Sequence, residues 1–158
     1  MSRVLVAVLA LFTIAGCAQM SANLAERDET RQVSDLVGYV QSVAAMRPDA
    51  QRRELNDANQ TYARDQGLYP RLRLALLLSL PGTAFADDTR AAGLLEPLTG
   101  PAADAAVSGP LRQFGAWLYV QVGERVREQR KSVQLKEQID ALRAIERALN
   151  DRGPGGRR

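Results

Sequence analysis

Residues 69–83 read Tyr69-Pro70-Arg71-Leu72-Arg73-Leu74-Ala75-Leu76-Leu77-Leu78-Ser79-Leu80-Pro81-Gly82-Thr83, and this stretch decides the fold class. Pro70 suits the first turn of a helix, where a missing backbone N–H costs nothing. From Leu72 to Leu80 nearly every side chain is apolar, so the helix has no polar face to give to water. A helix of that kind belongs at the centre of a bundle. Pro81-Gly82 ends it, and the predicted span is Pro70 to Leu80. A transmembrane reading fails on length, because a bilayer core needs about 20 apolar residues. The arginines, the leucine run and Ala84-Phe85-Ala86 together imitate a signal peptide, but the run sits inside a helical pattern.

The flanking segments supply the helices that cover it. On the N-terminal side, Val33, Leu36, Val37, Val40, Val43 and Ala44 fall at three-and-four spacing between about Arg31 and Met46, which predicts an amphipathic helix stopped by Pro48. Asp49 is placed to cap a second helix through Gln66, with Leu55, Ala58 and Tyr62 on its apolar face and Gly67 as a left-handed C-cap. On the C-terminal side, Asp87 or Asp88 caps a short helix reaching Leu95 or Glu96, stopped by Pro97. Thr99 to Gly109 is rich in Ala, Gly and Pro and reads as a loop.

No proline interrupts the chain from Pro110 until Pro154. A helix of that length would extend about 60 Å, more than a domain of this size can cover. Leu111, Phe114, Trp117, Leu118, Val122 and Val126 in its first half are expected on the bundle. Leu135, Ile139, Leu142, Ile145 and Leu149 in its second half form a stripe that projects or pairs as a short coiled coil. Arg125, Glu128, Ser132 and Glu146 would fall in the core positions of that seam, which argues against a long stable coiled coil. Glu124-Arg127, Asp140-Arg143 and Arg143-Glu146 are spaced as charge pairs along it.

Composition agrees and narrows the function. The 158 residues are 46% apolar, 25% charged and 5% aromatic, the balance of a folded helical chain rather than a disordered one. There is no histidine and one cysteine. This removes His-dependent triads, His-bearing zinc sites and intramolecular disulfides. No catalytic residue, metal site or cofactor is expected, and the chain reads as a non-enzyme. A net charge of +3 is too small for the footprint of a nucleic-acid binder. Glu26, Asp28 and Glu29 read as solvated charge, as do Arg52, Arg53, Arg71 and Arg73. Tyr62, Tyr69, Phe114, Trp117 and Tyr119 read as packing residues rather than a carbohydrate platform.

The N-terminus speaks of location. Arg3 precedes an uncharged run from Val4 to Ile14, the length of a signal-peptide hydrophobic region and too short to span a bilayer. It ends in Ile14-Ala15-Gly16-Cys17, which resembles a bacterial lipobox. The resemblance implies cleavage before Cys17, acylation of that residue and anchorage in a lipid bilayer, two or three acyl chains holding stably where one does not. Ala18 after the cysteine implies the periplasmic face of the outer membrane.

Two further segments carry resemblances. The helix opened by Pro70 and the capped helix through Leu94-Leu95-Glu96-Pro97-Leu98 are similar to one tetratricopeptide-like helix pair. Leu135-Lys136-Glu137-Gln138-Ile139-Asp140-Ala141-Leu142-Arg143-Ala144-Ile145-Glu146-Arg147-Ala148-Leu149 resembles the end of the QseG (YfhG-type) lipoproteins. That family implies an outer-membrane lipoprotein whose periplasmic part engages a two-component sensor histidine kinase. The expectation is an all-α protein. It comprises a signal peptide (1–16), a lipidated tether (17–30) whose end is open to helix, a helical bundle (31–109), a long C-terminal helix (110–152) and a disordered tail (153–158). The expected role is a protein-interaction accessory docking through Leu135, Ile139, Leu142, Ile145 and Leu149. The alternative is a structural or assembly scaffold of the envelope.

Overall fold

The computed structural model describes residues 24–99 and 109–151. The signal peptide, the lipobox at Cys17, most of the Thr99–Gly109 loop and the tail from Gly153 lie outside the described residues. The rest is all-α: a helical bundle from which a long C-terminal helix extends. The helices are α1 (24–44), α2 (Pro48–Arg64), α3 (Leu68–Leu78), α4 (Asp88–Leu95) and α5 (Pro110–Asp151), with a 3-10 turn at Glu96–Leu98 after α4.

The leucine-rich helix sits where its composition requires. Leu72, Leu74, Ala75, Leu76, Leu77 and Leu78 of α3 are all buried. Around them pack Leu36 and Val43 of α1, Ala58 of α2, Ala91 and Leu95 of α4, Leu98, and Leu111, Leu118 and Val122 of α5. These small aliphatic side chains make one contiguous core.

Helix α1 is already formed at residue 24, so the stretch read as tether is helical towards its end, a form its sequence left open. Its polar side chains bond within the helix: Thr30 Oγ1 donates to the Glu26 carbonyl at 2.8 Å and Gln32 Nε2 to Asp28 at 2.9 Å. The apolar stripe of α1 is narrower than expected, because Val37 and Ala44 are exposed. Gly67 is not a left-handed C-cap. Its φ is −58° and it is the N-cap of α3. The chain reverses instead through Asp65, whose carboxylate accepts the Gly67 N–H at 2.8 Å, an Asx turn that needs no positive φ. Helix α3 accordingly begins at Leu68, two residues before Pro70. The left-handed glycine is Gly82, φ +79°, just where Pro81-Gly82 ends the leucine run.

At the start of α4, Asp87 caps: its side chain accepts the Arg90 N–H at 2.9 Å. Asp49 does not cap α2. It lies in the first turn, and the N-cap position is Arg47, whose side chain makes no cap bond.

Helix α5 is continuous over 42 residues. Leu111, Gly115, Leu118 and Val122 face the core at four-three-four spacing. Gly115 is the close approach: a Cβ there would lie 2.6 Å from Leu98 Cδ1 and 3.0 Å from Leu72 Cδ2. The helix is locked to the bundle at Arg125. Its Nη2 donates to Asp88 Oδ1 at 2.7 Å and to the Ser79 carbonyl at 3.1 Å, while Nε donates to Asp88 at 3.2 Å. One guanidinium thus meets an acid in the first turn of α4 and a carbonyl at the end of α3, charges that both helix dipoles favour at those ends.

Candidate functional site

Beyond this lock α5 leaves the bundle. Every residue from Arg127 to Asn150 is exposed, a stretch of about 36 Å at 1.5 Å per residue, near the start of which Gln129 still bonds Asp88 of the bundle. Leu135, Ile139, Leu142, Ile145 and Leu149 all lie on it and all are open to solvent, Leu142 at 66%. Their spacing of four, three, three and four places them on one stripe of the helix. A shallow hollow of about 470 Å³ follows that stripe between Leu135 and Ile139, bordered by Lys131, Lys136, Asp140 and Arg143.

The charges along the projection serve its helicity. Arg127 pairs with Glu124 at 2.7 Å, Lys131 with Glu128 at 2.8 Å and Arg143 with Asp140 at 3.6 Å. Glu128 holds the Lys131 ammonium above its usual pKa. Exposed pairs at this spacing contribute little each, because water screens them. They help keep the segment helical but do not hide the apolar stripe. Arg143 turns to Asp140 and leaves the expected contact with Glu146 unmade.

A second polar cluster joins α1, α2 and α3 at the edge of the bundle. Tyr39 of α1 donates its O–H to Glu54 of α2 at 2.7 Å. The Arg73 guanidinium of α3 stands 4.6 Å from the Tyr39 ring centroid and pairs with Glu54 at 3.2 Å and Asp57 at 2.9 Å. Burial, then the Glu54 carboxylate, push the Tyr39 phenol up to about 12. A phenol held in its neutral form makes a strut between helices and a poor general base. Among the described residues no group of three or more acidic or cysteine side chains is placed to hold a metal.

The other residues singled out from the sequence divide cleanly. Asp87 and Asp88 are a cap and a lock. Tyr62, Tyr69, Phe114 and Tyr119 are half-buried against the core. Trp117 departs from expectation: it is 56% exposed and stacks on Phe114 with ring centroids 5.9 Å apart. Arg52 and Arg53 are solvated, whereas Arg73 is tied into the Tyr39 cluster. Glu29 is not free charge, since it reaches the first turn of α5. Sequence reasoning missed the Arg125–Asp88 lock. Its one signal was an arginine in a position where a coiled-coil seam should be apolar. No helix among the described residues is long and apolar enough to cross a membrane.

Comparison of the chain with protein-family models, with curated proteins and with solved structures finds no match.

Proposed function

We propose that this chain is a periplasmic lipoprotein, anchored to the outer membrane through acylated Cys17, that acts as a protein-interaction accessory of a two-component sensor histidine kinase. The observation that carries the interaction role is the apolar stripe of α5, Leu135 to Leu149, held clear of the bundle by the Arg125 lock. A continuous stripe of large aliphatic side chains in water is costly unless a partner covers it. A helix presenting anchors at this spacing suits docking into an apolar groove or against another helix. The lipobox at Ile14-Ala15-Gly16-Cys17 supports the anchor, and the resemblance of the α5 end to the QseG-type lipoproteins supports the kinase. Such an accessory acts by binding one signalling state of the kinase more tightly than the other.

The test is a photo-crosslinking residue in place of Leu142 in intact cells, followed by mass spectrometry of the adduct. Recovery of a membrane sensor kinase is the expected result. Recovery of outer-membrane assembly proteins or murein without a kinase would replace the signalling role with an envelope scaffold. Cys17→Ser should leave the precursor unprocessed or release the mature chain from membranes. Membrane fractionation and acyl label like wild type would refute the anchor.

A further inference from the structure

The beginnings of two helices, α3 and α5, bring two arginines to one cleft. Arg71 lies in the first turn of α3 and Arg112 in the first turn of α5. Together with Gln66, Leu68, Pro97 and Leu98 they line a hollow of about 280 Å³. Both cations occupy the helix end whose dipole is positive, where an anion and not a cation is favoured. Arg112 is the stranger of the two. Its Nε and Nη1 are sealed from solvent and have no hydrogen-bond partner. Desolvating guanidinium nitrogens without a partner is strongly unfavourable. Arg71 makes only a long contact, 3.5 Å, with the Gln66 carbonyl and a face contact with Tyr62 at 5.8 Å.

The contrast with the other half-buried arginines is instructive. Arg73 is neutralised by Glu54 and Asp57, and Arg125 by Asp88. Neither Arg71 nor Arg112 has an ion pair among the described residues. At the start of α3 the N-cap Gly67 has no side chain to cap the helix.

We propose that this cleft is an oxyanion-binding site, in which Arg71 and Arg112 hold a phosphate or carboxylate group against the apolar wall of Leu68, Pro97 and Leu98. Guanidinium is suited to either group, because its planar donors match their oxygens. The wall favours a ligand whose anionic group is borne on an apolar stem. The site is separate from the stripe of α5 and stands whether or not that stripe binds a kinase.

The test uses the full chain in neutral detergent, labelled with nitrogen-15 in arginine. Inorganic phosphate and, separately, acetate are titrated at constant ionic strength while the arginine Nε–H resonances are followed. Saturable movement of Arg112 and Arg71 is expected, with the exposed Arg130 and Arg147 unmoved. The arm that saturates at lower concentration identifies the preferred group. Arg71→Gln should weaken the response by about tenfold or more, the loss of one charge-assisted contact. Arg112→Met should melt higher than wild type without anion and gain nothing from it, whereas wild type gains with concentration. No movement with either anion, or equal movement at Arg130, would overturn the proposal.

Discussion

The Glu29 carboxylate of α1 accepts a hydrogen bond from the Leu111 backbone N–H, 3.3 Å away and 82 residues along the chain. The first N–H groups of any helix lack partners within it, and here an acid from another helix supplies one, with the charge the dipole favours. Gly109 makes room, because a Cβ there would collide with that carboxylate. Glu29→Ala should therefore cost about 1 kcal/mol of stability, and Glu29→Gln about half as much. Gly109→Ala should cost a similar amount by displacing the carboxylate. In urea unfolding the double variant Glu29→Ala/Gly109→Ala should fall well short of the sum, because both changes remove one interaction.

Two glycines of α5 should respond to the same substitution with opposite signs. At Gly115 an added methyl meets Leu98 and Leu72 at or inside 3.0 Å, whereas at Gly123 it meets nothing within 4 Å. Gly115→Ala should be destabilising by about 1–3 kcal/mol, the usual cost of overpacking a core. Gly123→Ala should be stabilising by about 1 kcal/mol from helix propensity alone. Thermal unfolding of the two variants side by side checks both.

These sites also show how much was legible beforehand. The buried leucines of α3 could be read directly, because a helix apolar on all sides has one place to go. The uninterrupted α5 could be read from the absence of proline, and its projection from its length. The contacts that fix α5 could not. Glu29 and Leu111, or Asp88 and Arg125, are charges and backbone groups far apart in sequence, and no local pattern marks which will meet. Gly67 failed for a related reason: Asp65 folded the chain back through its own side chain, so the glycine's freedom at positive φ was not used. Arg112 is invisible in the sequence, since its oddity is the missing partner.

The lock at the point where α5 leaves the bundle should be the most sensitive polar contact in the molecule. Asp88 has a side chain only 10% exposed and takes the Arg125 guanidinium at 2.7 Å. It also accepts from Gln129 Nε2 at 3.1 Å. Asp88→Ala strands Arg125 and the Ser79 carbonyl contact with it. A loss of about 2–3 kcal/mol is expected, typical of a hydrogen bond to a charged group left unmade. Amide exchange near Val122 and Val126 should accelerate, while amides beyond Arg130 should exchange as before.

Alkaline pH should loosen the junction of α1, α2 and α3. The Tyr39 phenol is raised from 10.0 to about 12 by burial and by its bond to Glu54. The folded state therefore holds its proton more tightly than the unfolded chain. This contribution is complete below pH 10 and is lost as pH rises from about 10 to 12. Melting temperature should fall across that window in wild type and fall less in Tyr39→Phe. Phenolate absorbance should show one tyrosine titrating late, and that one should vanish in the variant.

The same kind of residue, leucine, should behave oppositely in α3 and in the end of α5. Leu77 has no exposed surface, and Leu142 is 66% exposed. Leu77→Ala removes a side chain from the middle of the core and leaves a cavity, so about 2–5 kcal/mol should be lost. Leu142→Asp touches no core and should leave the melting temperature nearly unchanged, with helicity reduced only near the substitution. If Leu142 serves a partner, Leu142→Asp must abolish crosslinking from a probe at the neighbouring stripe residue Ile139 while the bundle stays folded. Leu77→Ala should weaken crosslinking only as far as it lowers the amount of folded protein. A variant at Leu142 that unfolds the bundle would mean the stripe is covered by this chain itself. One that crosslinks as wild type would mean the partner sits elsewhere.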